Sequence, residues 1–151
     1  MKKILLILML VSCFKANSQT VNPNYDSKLA ESLGADDYGM KMYVLAILKT
    51  GSNKIDDKEK LNELFKGHMD NINRLAKDGK LIVAGPLKKN DKNYRGIFIL
   101  NAKTIEEANE LLLTDPAIKE KLFEVEVFEW YGSAALPEYL KIHDKIEKTK
   151  H

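Results

Sequence analysis

The apolar positions of this chain change period several times, and each change marks an element. Tyr43-Val44-Leu45-Ala46-Ile47-Leu48 is an unbroken apolar run closed by the turn cluster Thr50-Gly51-Ser52-Asn53. That pattern predicts a first strand. The period then lengthens: Leu61, Leu64, Phe65, His68, Met69, Ile72, Leu75 and Ala76 follow the spacing of one helix face. Asp56 with Glu59 three residues on resembles a capping box, and Gly79 is placed to stop the helix in a left-handed turn. Leu81-Ile82-Val83-Ala84 gives a second strand closed by Gly85-Pro86, residues 88–93 a polar hairpin loop, and Gly96 to Leu100 a third strand. Thr104-Ile105-Glu106-Glu107 opens a second helix through Leu113. Asp115-Pro116 then restarts a short helical turn, with proline where its missing N–H costs nothing. Phe123, Val125 and Val127 alternate with Glu124 and Glu126 in a fourth strand that runs to Trp130 or Tyr131.

The order βαββαβ predicts an α+β fold, a ferredoxin-like sandwich. In that fold the first and third strands are central, and here those two are apolar on both faces. The fourth strand, an edge in that fold, alternates with Glu. Two helices cover only one face of a four-stranded sheet. The other face still carries Leu and Ile, which predicts a homodimer closed over it, with a folded-back C-terminal tail as the alternative cover.

The flanks read differently. Met1-Lys2-Lys3, the apolar run Ile4 to Val11 and the exit Ala16-Asn17-Ser18 make residues 1–18 an export signal peptide. The run is about half of the ~20 residues a membrane span needs, so no stable transmembrane segment is expected. Leu10-Val11-Ser12-Cys13 also fits a lipobox, in which Cys13 would carry a lipid anchor. Residues 19–40, polar and broken by Pro23, Gly34 and Gly39, read as a linker; 41–132 is the folded domain; 133–151 is a charged, weakly amphipathic tail with room for one helix. The chain is therefore expected to be periplasmic or secreted, with a membrane-anchored lipoprotein as the alternative.

Maturation changes what composition says. Cys13 is the only cysteine, so cleavage after Ser18 leaves 133 residues with no disulfide, held by core packing. The signal takes three lysines and no acid with it, turning a formal net charge of +2 into −1. No clustered basic excess remains for nucleic acid, and the lysines at 88–92 and 145–150 read as solvated.

Candidate chemistry centres on His68, the one histidine inside the fold; His143 and His151 belong to the tail. An imidazole on an apolar helix face needs a partner. It is either a core histidine satisfied by a carbonyl or a Tyr, or a working acid–base group. Asp115, in the break between helical segments, is either a cap or the carboxylate that orients His68, the usual way to build a general base. His68 with Asp70 or Asp115 offers one imidazole and carboxylates only, so no metal site is expected, and no cofactor. Gly85-Pro86 opens no helix and is no phosphate loop, and Ser133 lacks a hydrolase elbow. Tyr43 and Tyr94 either line a pocket or belong to the core.

The stretch from His68 through Gly79 to Ala84-Gly85-Pro86 resembles the helix-to-strand signature of YciI-like (YCII-related) proteins. Gly96, the Thr-x-x-Glu helix start and Asp115-Pro116, which resembles the family's Asp-Pro, follow at plausible distance, and the ending in Trp130 is similar, so the likeness covers about residues 42–131. It implies a dimeric α/β-barrel type of fold with a His–Asp pair in a cleft, and it makes His68 and Asp115 the active-site pair. Most members have no assigned reaction; a dehydrochlorinase acting on a chlorinated hydroxyquinone is a characterised relative. Related dimeric barrels include cofactor-free oxygenases and isomerases. The export signal, lead-in and tail depart from the family pattern and stand against a cytoplasmic catabolic role. The resulting expectation is an exported protein that uses a His–Asp pair on a small organic molecule. The alternative is a dimer that binds a small molecule without turnover or is purely structural.

Overall fold

A computed structural model describes residues 22–149; the expected export signal, Cys13 and His151 lie outside the described residues. The order is α1 (Ser27–Leu33), β1 (Met40–Thr50), α2 (Lys58–Lys77), β2 (Leu81–Pro86), β3 (Tyr94–Leu100), α3 (Ile105–Leu112), α4 (Pro116–Lys119), β4 (Phe123–Ser133), a 3₁₀ turn (Leu136–Tyr139) and α5 (Leu140–Ile146). The four strands form one sheet in the order β2-β3-β1-β4, and every neighbouring pair is antiparallel. This is the ferredoxin-like α+β arrangement, with the two doubly apolar strands at its centre and the Glu-bearing strand at an edge.

Alternation along the strands sorts the side chains by face. Val44, Ala46 and Leu48 of β1 and Phe98 and Leu100 of β3 are buried in one cluster with Leu75 of α2, Ala108 and Leu112 of α3, and Ala117 and Ile118 of α4. Leu45, Ile47, Ile97 and Ile99 point the other way and are only half-buried, and Phe128 on the same face is 48% exposed. The tail accounts for one end of that face. Its Tyr139 hydroxyl donates to the Ile82 carbonyl, and Tyr43, Ile82 and Ala134 are buried there.

Local chemistry sets the ends of elements. β1 runs on through Lys41 and Lys49 because β4 pairs with it along its whole length, from Met40 opposite Ser133 to Thr50 opposite Phe123. The cap of α2 is Asp57 and not Asp56: its carboxylate accepts from the N–H groups of Glu59 at 2.9 Å and Lys60 at 3.2 Å. With Lys58 as the first helical residue, Asp56 lies one position too early to reach them. Gly79, at φ 66°, takes the left-handed turn expected of it. The polar lead-in is more ordered than its composition suggests. Asp26 caps α1 and Gly34 ends it, and the Asp36 carboxylate accepts from the Tyr38 and Met40 N–H groups and from the Tyr131 hydroxyl of β4.

Candidate active site

His68 lies midway along α2, on the stripe that faces the sheet, and its side chain is 12% exposed. Its ring stacks on Phe98 of β3, with centroids 5.9 Å apart, and tilts against Phe123 of β4 at 5.2 Å. Such surroundings make an unpaired imidazole N–H costly. Asp115 supplies the partner.

Why the carboxylate is there follows from Pro116. A residue before proline is pushed out of the helical region, and Asp115 is extended, at φ −82° and ψ 118°. The helical path therefore breaks between α3 and α4, where α2 passes. The Asp115 side chain is fully buried, and its Oδ2 lies 2.5 Å from His68 Nδ1. Its Oδ1 accepts the Ala117 N–H at 2.9 Å and so caps α4. Asp115 is thus a cap and an orienting group at once, with one oxygen for each role.

A carboxylate only accepts, so this pairing assigns the proton of a neutral His68 to Nδ1. Nε2 has no hydrogen-bond partner among the described residues. The resulting unit is a buried carboxylate, a fixed imidazole and one unengaged ring nitrogen among aromatic rings, which is a general base or acid in form.

A second polar group, which the sequence pattern does not single out, ties α2 to the residue before Asp115. Asn71, one turn after His68, is buried. Its Oδ1 accepts from Arg74 at 2.6 Å and lies 2.9 Å from the Thr114 hydroxyl. That hydroxyl also accepts from Arg74 at 2.8 Å and reaches the Leu111 carbonyl at 2.6 Å, with one proton to give between the two. Asn71 occupies an apolar-stripe position, the one sign of it in the sequence.

The other residues named from sequence lie elsewhere. Asp70 is exposed and paired with Lys66 at 2.7 Å. Tyr43 donates to the Ser133 carbonyl at 2.9 Å, and Tyr94 to Glu126 at 3.2 Å. Glu126 also meets Lys49 at 2.8 Å; that hydrogen bond pulls the carboxyl below its usual value and lifts the ammonium above its own. Tyr43 is therefore a core residue of the sheet, whereas Tyr94 is half-buried and also lines a surface groove away from the dyad. His143 is exposed on α5, edge-on to Tyr139. Among the described residues no three His, Cys, Asp or Glu side chains are placed to hold a metal, and no helix is long and apolar enough to cross a membrane. Two surface grooves lie away from the dyad. One, of about 390 Å³, lies along the β2–β3 loop; the other, of about 400 Å³, lies between α1 and the tail.

The model of the YCII-related domain family matches residues 42–131, which hold both members of the dyad. No curated protein matches the chain. Among solved structures, 5-chloro-2-hydroxyhydroquinone dehydrochlorinase from Burkholderia phenoliruptrix AC1100, in complex with 2,5-dihydroxybenzoquinone, is similar at 21% identity and a TM-score of 0.41. The match covers 58% of this chain and 92% of that one. A likeness of that size carries no argument about chemistry.

Proposed function

The chain belongs to the YCII-related family, and from that premise we propose that it is a small enzyme in which His68 Nε2 moves a proton on a small organic molecule. The observation that carries this reading is the 2.5 Å contact of Nδ1 with a fully buried carboxylate, which leaves Nε2 the unengaged nitrogen. Asp115 holds the ring in one orientation and one tautomer. When Nε2 takes a proton, the carboxylate faces the positive charge that appears on the ring, and Ala117 N–H keeps that carboxylate from turning. A positioned base of this kind contributes on the order of 10²- to 10⁴-fold. Proton abstraction beside a carbonyl, elimination and isomerisation all need such a group, and none of them needs one supplied by a cofactor. The working form is a homodimer closed over the half-buried face of the sheet, and it acts outside the cytoplasm, as the residue pattern of 1–18 suggests.

The test uses deuterium exchange at carbons next to the carbonyl in a panel of small ring ketones and keto acids, followed by proton NMR. The native protein is expected to exchange at least one of them, and His68→Gln to lose roughly a hundredfold or more. Asp115→Asn is expected to fall between. Native-like rates in His68→Gln would refute the enzyme. Saturable binding without exchange, lost in both variants, would instead identify a binding protein.

A further inference from the structure

α2 contains a single glycine, Gly67, in its interior. Glycine there costs about 1 kcal/mol relative to alanine, so its place calls for a packing reason. The Pro116 ring supplies it: a Cβ on Gly67 would stand 2.6 Å from Pro116 Cγ. Gly67 immediately precedes His68, and Pro116 immediately follows Asp115. On the far side of the dyad, Asn71 meets Thr114. Three rungs therefore join α2 to the α3–α4 junction: 67 to 116, 68 to 115, and 71 to 114. The middle rung is the dyad.

We infer that Gly67 is a positioning residue, whose missing side chain lets Pro116 seat on α2 and so holds His68 Nδ1 within hydrogen-bond reach of Asp115 Oδ2. The inference rests on the dyad as the working site, yet it concerns only how the dyad is held. Backbone approach sets the spacing, because neither imidazole nor carboxylate is long enough to follow a displaced helix. One methyl group between Gly67 and Pro116 would push the outer rung apart and stretch the next.

The His68 Nδ1–H signal of the ¹⁵N-labelled full chain reports this bond without any substrate. In the native protein it is expected downfield and slow to exchange with water. Gly67→Ala is expected to speed that exchange roughly tenfold or more, a change of the size that contacting pairs show in double-mutant cycles, with helix content by circular dichroism unchanged. Pro116→Ala removes the ring and is expected to speed exchange less. The double variant Gly67→Ala/Pro116→Ala, where the methyl has room, is expected to exchange more slowly than Gly67→Ala alone. A native-like signal in Gly67→Ala, or additive effects in the double variant, would overturn the inference. If Gly67→Ala does not fold, Pro116→Ala decides alone, and unchanged exchange there refutes it. Loss of the proposed enzyme activity would leave this readout untouched, and an active enzyme whose Gly67→Ala form kept its Nδ1–H signal would refute the positioning role alone.

Discussion

Asp115 joins two roles that are separable by substitution. Asparagine keeps an acceptor for the Ala117 N–H but sets an amide against an imidazole that must then change tautomer. Alanine removes the cap and also strands a buried imidazole. A lost cap costs about 1 kcal/mol, and a stranded buried polar group about 1–3 kcal/mol. Asp115→Ala is therefore expected to cost about 2–4 kcal/mol in urea unfolding and Asp115→Asn about half of that. Equal losses would show that only the bond to His68 matters, and a native-like Asp115→Asn that only the cap does. His68 and Asp115 were legible in the sequence because each is a polar residue in an unusual place, a stripe and a helix break. Their contact was not, since it joins residues 47 positions apart and Asp-Pro reads as a cap whether or not an imidazole stands opposite. Phe98, Phe123 and Gly67 escaped for a related reason: an aromatic in a strand, or a glycine in a helix, acquires its role only from what the fold sets beside it.

Elements with a buried face were the readable ones. β1, α2, β2, β3, α3 and β4 each bury residues in the core, and burial is what imprints a period on a sequence. α1 buries none of its residues, so it leaves no apolar period and its order comes from caps; besides the Ala134 N–H on the Gly39 carbonyl, the lead-in has a side-chain tie to β4, the Tyr131 hydroxyl on Asp36. That tie predicts a pH response. The hydrogen bond to Asp36 raises Tyr131 from 10.0 to about 12, because it favours the neutral phenol. Its contribution is complete below pH 10 and is lost as the pH rises from about 10 to about 12. The hydrogen bond from Tyr131 lowers Asp36 below 3.8, so that contribution is complete above 3.8 and lost as the pH falls through the lowered value. The difference in 295 nm absorbance between the native protein and Tyr131→Phe is expected to show one phenol titrating near 12. A midpoint near 10 would mean that the Tyr131–Asp36 bond does not form in solution.

On the scale of the whole molecule, the sheet has one face closed by helices and one that the tail covers only at an end. The need for a second cover was legible, because β1 and β3 are apolar on both sides. The tail's own position was not, since Tyr139 meets Ile82 across 57 residues from a weakly amphipathic segment. Phe128, 48% exposed and halfway along the edge strand β4, is the residue whose change tests the dimer. Phe128→Glu is expected to turn a dimer at micromolar concentration into a monomer in analytical ultracentrifugation. The loss of about 2 kcal/mol usual for a buried aromatic anchor corresponds to roughly thirtyfold weaker association. Its monomer should unfold much like the native chain, because the side chain lies outside the core. A native protein that sediments as a monomer at high concentration would refute the dimer. The same face carries Trp130, the sole tryptophan, whose indole lies over Gly132, where a Cβ would come within 2.4 Å of the ring, and 5.7 Å from the ring of Tyr43. Tryptophan emission of the unlabelled protein therefore arises from one half-buried reporter beside the tail-covered end of that face, lit directly or by energy transfer from its neighbouring phenol. Its emission colour follows the wetness of that surface, whether a second copy, a ligand or bulk water lies against it.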